Sequence, residues 1–243
     1  MIEQKQVKSS SSDDKIRAPI SPVVHDKVLD LIVQHLEKNS EILDLGAGEG
    51  EFSRRLIEKE FKAIPVDGFD IYWRNSNIPL IIANLDGEFA SAVSPDGKQF
   101  DAIVAIEIIE HLENPYLFLR ECAKLLKPDG LLFITSPNVE SITSRIIFLY
   151  TGRLIGFGEV ETLRPAHITP LFKWKFDLAF EEAGFEYVWE GYNRISYRVG
   201  DNFHNKIGSL MARLLRPIVK GEKDGENRIV VARRIEKNVE NGK

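Results

Sequence analysis

A chain of 243 residues can bury a full core, and 43% hydrophobic with 28% charged residues describes a globular protein. The net charge of −5 gives no global attraction to nucleic acid, and no apolar run approaches the length of a membrane span. The lone Cys122 excludes an intrachain disulfide framework and, beside Leu125 and Leu126, reads as a small core residue.

Residues 1 to about 16 are polar, with a Ser-Ser-Ser-Ser-Asp-Asp run that reads as a disordered tail. No apolar signal core stands near the start, so the expected location is the cytoplasm. Val24, Val28, Leu31, Ile32 and Leu36 recur at helical spacing and predict an amphipathic helix over about 22–38. A buried strand at Glu41–Leu45, a glycine-rich turn and a helix from Phe52 to Lys59 follow. Further strands are predicted at Ala63–Asp67, Leu80–Ala83 and Phe100–Ile106. The helix Tyr116–Leu126 should close at Lys127-Pro128-Asp129-Gly130, a stop and turn before a fifth strand, Leu131–Thr135. A helix over Lys173–Ala183 ends at Gly184, and strands at Phe185–Trp189 and Asn227–Arg233 complete the set. Apolar strands alternating with helices predict an α/β fold, a doubly wound, mostly parallel seven-stranded sheet with an antiparallel C-terminal hairpin. One domain over 17–236 is expected, with lids at about 138–168 and 192–224 and a polar tail at 237–243.

Gly46, Gly48 and Gly50 alternate through the first turn, where backbone can pass close to a ligand. A dinucleotide fingerprint wants its third glycine where this chain has Glu51, and Asp44, Glu49 and Glu51 would repel a pyrophosphate but tolerate a cation. A tight connection in any α/β domain is the bland alternative. Asp67 ends the second strand about twenty residues on, where a carboxylate can accept both ribose hydroxyls; Asp70 competes for that role. The segment Asp44-Leu45-Gly46-Ala47-Gly48-Glu49-Gly50 resembles motif I of the class I S-adenosylmethionine-dependent methyltransferases. That resemblance implies a Rossmann-like fold, an S-adenosyl-L-methionine cofactor and contacts to it from Asp44, Gly46, Ala47, Gly48, Gly50 and Asp67. It also implies that Asn84 and Leu85 meet the adenine, although the family usually has Asp where this chain has Asn84. Ile106 and Glu107, at the end of the fourth strand, would flank the methionine portion.

Glu107, Glu110 and His111, if helical, share one face, and His167 in Pro165-Ala166-His167-Ile168-Thr169-Pro170 could reach the same mouth. Three readings are open: local capping or positioning, general-base catalysis, and a divalent ion held by Glu107, Glu110, His111 and His167, the least favoured. Glu-x-x-Glu-His is widespread among small-molecule methyltransferases. With a distant histidine it also resembles the metal site of the small-RNA 2′-O-methyltransferases, and similar ligands are attributed to ubiquinone-pathway O-methyltransferases. His111, His167 and Glu110 are the candidate catalytic residues, and two histidines favour O-methylation.

Two further segments should meet the acceptor. The first, Ser136 to Arg153, is apolar and aromatic with basic punctuation, and resembles bacterial enzymes of sugar, polysaccharide and lipid pathways. The second carries Ile207, Leu210, Met211, Leu214, Leu215 and Ile218 at helical spacing, with Lys206, Arg213, Arg216 and Lys220 off the stripe and Pro217 ending the helix. This helix over 206–220 reads as a cover for the pocket or as a peripheral membrane contact. The expected activity is methylation of a small-molecule, sugar or lipid-linked acceptor. The rivals are a metal-assisted RNA 2′-O-methyltransferase, disfavoured because the chain is acidic and nucleic acid an unsuitable partner for it, and a non-catalytic cofactor-binding regulator.

Overall fold

The computed structural model describes residues 22–159, 161–163, 166–193, 203–221 and 224–236, without the side chains of 203–205. The two polar tails, Pro165 and part of 192–224 lie outside these residues.

Helix α1 (Pro22–His35) leads into β1 (Glu41–Leu45), α2 (Glu51–Glu58), β2 (Lys62–Asp67), β3 (Ile81–Ile82) and α3 (Ala90–Val93). The second half runs β4 (Phe100–Ala105), a 3-10 turn (Ile109–His111), α4 (Pro115–Leu125), β5 (Leu126–Pro137) and α5 (Ile142–Thr151). Helix α6 (Lys173–Ala183), β6 (Phe185–Tyr192), α7 (Phe203–Leu215) and β7 (Asn227–Arg234) follow. The sheet order is β3-β2-β1-β4-β5-β7-β6, parallel through β5, with β7 antiparallel to both β5 and β6. The expected α/β sheet and hairpin are therefore observed. From β1 the chain winds one way to β3 and the other way through β4, so the carboxyl ends of β1 and β4 frame a crevice at the switch of strand order.

Two cores explain why this order is stable. Ile42 joins Val24, Val28, Ile32, Phe52 and Leu56 on the face covered by α1 and α2. Its neighbour Leu43 points to the other face, among Phe89, Phe118, Phe176 and Phe180 from beneath α3, α4 and α6. Cys122 is buried in that second core, as expected.

Three elements differ from their prediction. Lys127–Gly130 is not a free turn: Phe100 already pairs with Leu126 and Ala102 with Leu131, so these residues bulge within β5. Asp129 takes φ +62°, and Lys127 Nζ lies 2.6 Å from Asp101 Oδ1, tying the bulge to β4. Strand β3 has two residues, Ile81 and Ile82, paired with Val66 and Asp67, and the Ala83 amide completes the ladder to the Asp67 carbonyl at 2.9 Å. Helix α7 stops at Leu215, two residues before Pro217, whose ring bars the α conformation just ahead of it. Among the described residues no helix is long and apolar enough to cross a membrane.

Candidate active site

The glycine turn is sewn to the second strand. The amides of Gly46 and Ala47 both donate to the Val66 carbonyl, at 2.9 and 3.1 Å, and the Gly48 amide donates to Asp67 Oδ2 at 2.9 Å. Gly50, at φ +90°, caps α2. The three glycines serve different ends. A Cβ on Gly46 would meet Ile108 at 2.9 Å, and one on Gly50 would meet Trp73 at 2.8 Å, so protein already fills both spaces. Among the described residues nothing lies within 4 Å of a Cβ on Gly48, the one of the three that faces open space.

Asp67 divides its carboxylate between the Gly48 amide and the Phe69 amide, 3.1 Å from Oδ1, and each oxygen keeps a lone pair for a hydroxyl. Asp70 is exposed, with its carbonyl taken by the Trp73 amide. Asp44 is buried and accepts the Ser53 hydroxyl at 2.6 Å. Burial pushes its pKa up to about 6 against that bond, and the charge of Asp67 adds to the rise. Leu85 is buried beneath the turn after β3; Asn84 is exposed, its Oδ1 taking the Asp86 amide at 3.1 Å.

Across the crevice, the segment after β4 is not one helix. Ile106 is buried, and Glu107 stands at φ +50° before the 3-10 turn begins at Ile109. This corrects the expectation that Glu107, Glu110 and His111 share a helical face. Glu107 Oε1 accepts the Thr135 hydroxyl at 2.7 Å and Oε2 the Asn227 amide at 2.7 Å. Burial raises the Glu107 pKa to about 7 despite these two donors. Glu110 is 1% exposed, and among the described residues neither carboxyl oxygen has a hydrogen-bond partner. Its burial first, and the charge of Glu107 second, push its pKa well up, so the neutral acid is favoured.

His111 and His167 meet edge to face, ring centroids 4.5 Å apart, although 56 positions separate them in sequence. The Glu110 carbonyl brings them together by accepting the amides of Ile168 and Thr169, both at 2.9 Å. His111 Nδ1 bonds the Ala166 carbonyl at 3.0 Å and His167 Nδ1 the Gly156 carbonyl at 2.6 Å. A carbonyl only accepts, so each Nδ1 carries a proton, and a neutral ring in this arrangement has its lone pair on Nε2. Burial lowers the His111 pKa, with His167 adding to the effect and the Ala166 carbonyl opposing it. One carboxylate oxygen of Glu110 and one ring nitrogen each of His111 and His167 lie within 4.8 Å of one another.

A family model described as a methyltransferase domain matches residues 20–190. The chain belongs to the class I S-adenosylmethionine-dependent methyltransferases. S-adenosylmethionine is accordingly the cofactor of this methyltransferase. It is 30% identical over 100 residues to a ubiquinone biosynthesis O-methyltransferase of Parvibaculum lavamentivorans, a match covering 40% of each chain. It is 26% identical over 147 residues to the mitochondrial ubiquinone biosynthesis O-methyltransferase of Bos taurus, covering 56% of this chain and 40% of that one. The methyltransferase thus spans about two fifths of the length of these curated relatives. A solved SAM-dependent methyltransferase from Archaeoglobus fulgidus shares the fold at TM-score 0.63 and 18% identity, covering 88% of this chain and 94% of that one.

Gly48 faces open space beside the Asp67 carboxylate, whose remaining lone pairs fit the two hydroxyls of a ribose. The donor set of Glu110, His111 and His167 also fits a divalent ion, since a ring nitrogen from each histidine and an unpartnered carboxyl oxygen lie within 4.8 Å of one another. Glu107 does not join it, because Thr135 and Asn227 occupy both its oxygens. Sequence reasoning missed Trp73, Thr135, Asn227 and Ser53. Ser53 sits at helical position three behind the turn and was readable; Asn227 lies 120 positions from Glu107 and carried no local signal. Sequence reasoning also missed Arg228, 2% exposed, whose ion pair with Glu140 at 2.9 Å anchors the segment after β5 to β7. A cavity of about 490 Å³ opens at the amino ends of β1 and β4, among Ser40, Asp101, Lys127 and Arg233, and shares nothing with this site.

Proposed function

We propose that this methyltransferase methylates an oxygen of a small-molecule acceptor, and that the acceptor is lipid-linked. The observation that carries the reading is the facing pair His111 and His167, each with its Nδ1 fixed and its Nε2 free, beside buried Glu110. A hydroxyl nucleophile must lose its proton as it attacks, whereas a neutral amine often need not. His111, kept neutral by burial, accepts that proton at Nε2; His167 holds the first ring edge-on. Glu110, favoured in its neutral form, positions the pair through its backbone carbonyl and donates or accepts at the acceptor hydroxyl.

When bound, the cofactor supplies a methyl carbon already activated by a sulfonium. Asp67 grips its ribose, and Gly46, Ala47, Gly48 and Gly50 form the floor beside it. Asn84 and Leu85 meet the adenine, Ile106 and Glu107 the amino-acid end, and Asp44 holds the turn through Ser53. Holding the partners in line is worth up to ~7–11 kcal/mol of the barrier. The segments 138–168 and 192–224 act as lids of a single domain over 17–236, and α7 with the residues after it to 220 reaches a lipid surface from a cytoplasmic setting. The names of the ubiquinone-pathway relatives support an oxygen acceptor of lipid character.

The test is transfer of label from methyl-labelled cofactor to fractions of a cell extract, polar and lipid fractions kept apart. Label in a lipid fraction that is lost with His111→Ala supports the reading. Label only in RNA, or cofactor binding with no label transferred, replaces it with one of its rivals. A second reading, favoured by the convergence of Glu110, His111 and His167, is a bound divalent ion; elemental analysis of the purified protein and of His111→Ala decides it.

A further inference from the structure

Helices α5 and α7 pack on each other through Ile142, Ile146 and Ala212. The apolar stripe of α7 recurs at intervals of three and four residues, the pattern of a helix that buries one face. Yet it is largely uncovered: Leu214 is 65% exposed and Leu210 57%, and Ile218 just beyond the helix is 74% exposed. On α5 the same side ends in Leu149, 74% exposed, and Tyr150, 50% exposed. Between the helices lies a slot of about 270 Å³ whose walls are Ile146, Leu149, Tyr150, Ile207, Gly208 and Met211.

Charge names the occupant. Residues 142–153 and 203–220 hold Arg145, Arg153, Lys206, Arg213, Arg216 and Lys220 and no acidic residue, in a chain whose net charge is −5. Arg145 reaches the Glu140 and Lys220 carbonyls and so staples the helices together, and Arg216 pairs with Asp224. Lys206, Arg213 and Lys220 remain exposed around the apolar surface. A second copy meeting this face across a two-fold axis would set cation against cation. An anionic bilayer complements both the charge and the apolar stripe.

We propose that the paired face of α5 and α7 is a peripheral membrane-docking surface, with Leu149, Leu210, Leu214 and Ile218 entering the headgroup–acyl boundary of an anionic bilayer. Lys206, Arg213 and Lys220 lie against the headgroups, and the slot between the helices opens toward the hydrocarbon. The site extends the lid-helix contact of the proposed function from one helix to two. It deepens the lipid-linked reading, yet it is measured without any methyl transfer. The two can therefore fail separately.

The experiment is co-sedimentation of the full chain with phosphatidylcholine vesicles, with and without phosphatidylglycerol, at low and high salt. Binding is expected only to the anionic vesicles and weakens with salt. Leu214→Glu with Ile218→Glu lowers it by roughly tenfold or more, and Arg213→Ala by roughly fivefold. Affinity for S-adenosylhomocysteine stays unchanged in these variants, which shows that they fold. Equal binding to neutral vesicles, no binding to anionic ones, or undiminished binding of the double variant overturns the proposal. So does a dimer in solution that the double variant converts to monomer, since the face is then an interface between copies. Vesicle binding without label transfer to any lipid fraction leaves the docking surface standing and removes the acceptor reading.

Discussion

The two walls of the crevice are built differently. On the cofactor wall the turn between β1 and α2 is closed by neighbours in sequence and by one adjacent strand, with Gly48 and Asp67 only 19 positions apart. On the acceptor wall His111 is held by the Ala166 carbonyl from 55 positions away, and the Glu110 carbonyl by the amides of Ile168 and Thr169 from the same distant loop. A wall of short-range bonds is set by local geometry and gives the family its shared cofactor. A wall of long-range bonds can be re-cut by exchanging one loop, which suits the side that chooses the acceptor.

The largest effect should come from the acceptor wall. His111→Ala is expected to lower kcat by roughly 10²–10⁴-fold while affinity for S-adenosylhomocysteine, read by calorimetry, is unchanged. Because the His111 pKa is lowered, wild-type kcat should rise with pH to a plateau whose midpoint lies below 6.5, the ordinary histidine value. An unchanged kcat in the variant would leave the histidine pair with a structural role only.

Asp67→Ala makes the converse cut. It should weaken S-adenosylhomocysteine binding by roughly a hundredfold, from the loss of two hydrogen bonds to a charged group. If affinity survived, the exposed Asp70 would be the better ribose partner.

A smaller contrast sharpens the cofactor wall itself. Gly46→Ala should cost the unliganded protein about 1–3 kcal/mol in denaturant unfolding, from left-handed strain at φ +79° and the collision with Ile108. Gly48→Ala shares the strain without any collision, at about 1 kcal/mol, and should act chiefly on cofactor affinity.

The last contrast, confined to high pH, concerns Asp44. Its folded pKa of about 6 lies above the 3.8 of the free side chain, so its stabilising contribution is full below pH 4 and is lost as pH rises through 6. Asp44→Asn, which stays neutral, should therefore gain at most about 3 kcal/mol over wild type at pH 8 and nothing near pH 3.5. Thermal melts across pH check it, and a gain at pH 3.5 would contradict the burial argument.

Much of the fold was legible because strands and helices announce themselves through periods of two and about 3.6. The alternation of Ile42 and Leu43 between two cores, and the stop at Gly184, are local facts. The misread pieces were those where a neighbour decided. Pro128 and Gly130 have the composition of a turn, and only the pairing of Phe100 with Leu126 makes them a bulge. Glu107 follows helical spacing with Glu110, but the Thr135 and Asn227 donors hold it at φ +50°, off that face. The stripe on α7 was visible as a stripe, though not which way it faced, because α5 packs against Ala212 and Leu215 and leaves Leu210 and Leu214 exposed.

Residue order alone dictated the glycine spacing, the acidic strand end at Asp67 and the winding of helices about a parallel sheet, since each follows from torsion preferences and hydrophobic period within some twenty residues. The meeting of His111 with His167, the orphaned carboxyl of Glu110 and the uncovered face of α5 and α7 were decided by tertiary packing. Those depend on which loops the sheet order carries to one crevice, and loop closure over 55 to 120 positions leaves no periodic mark in a sequence.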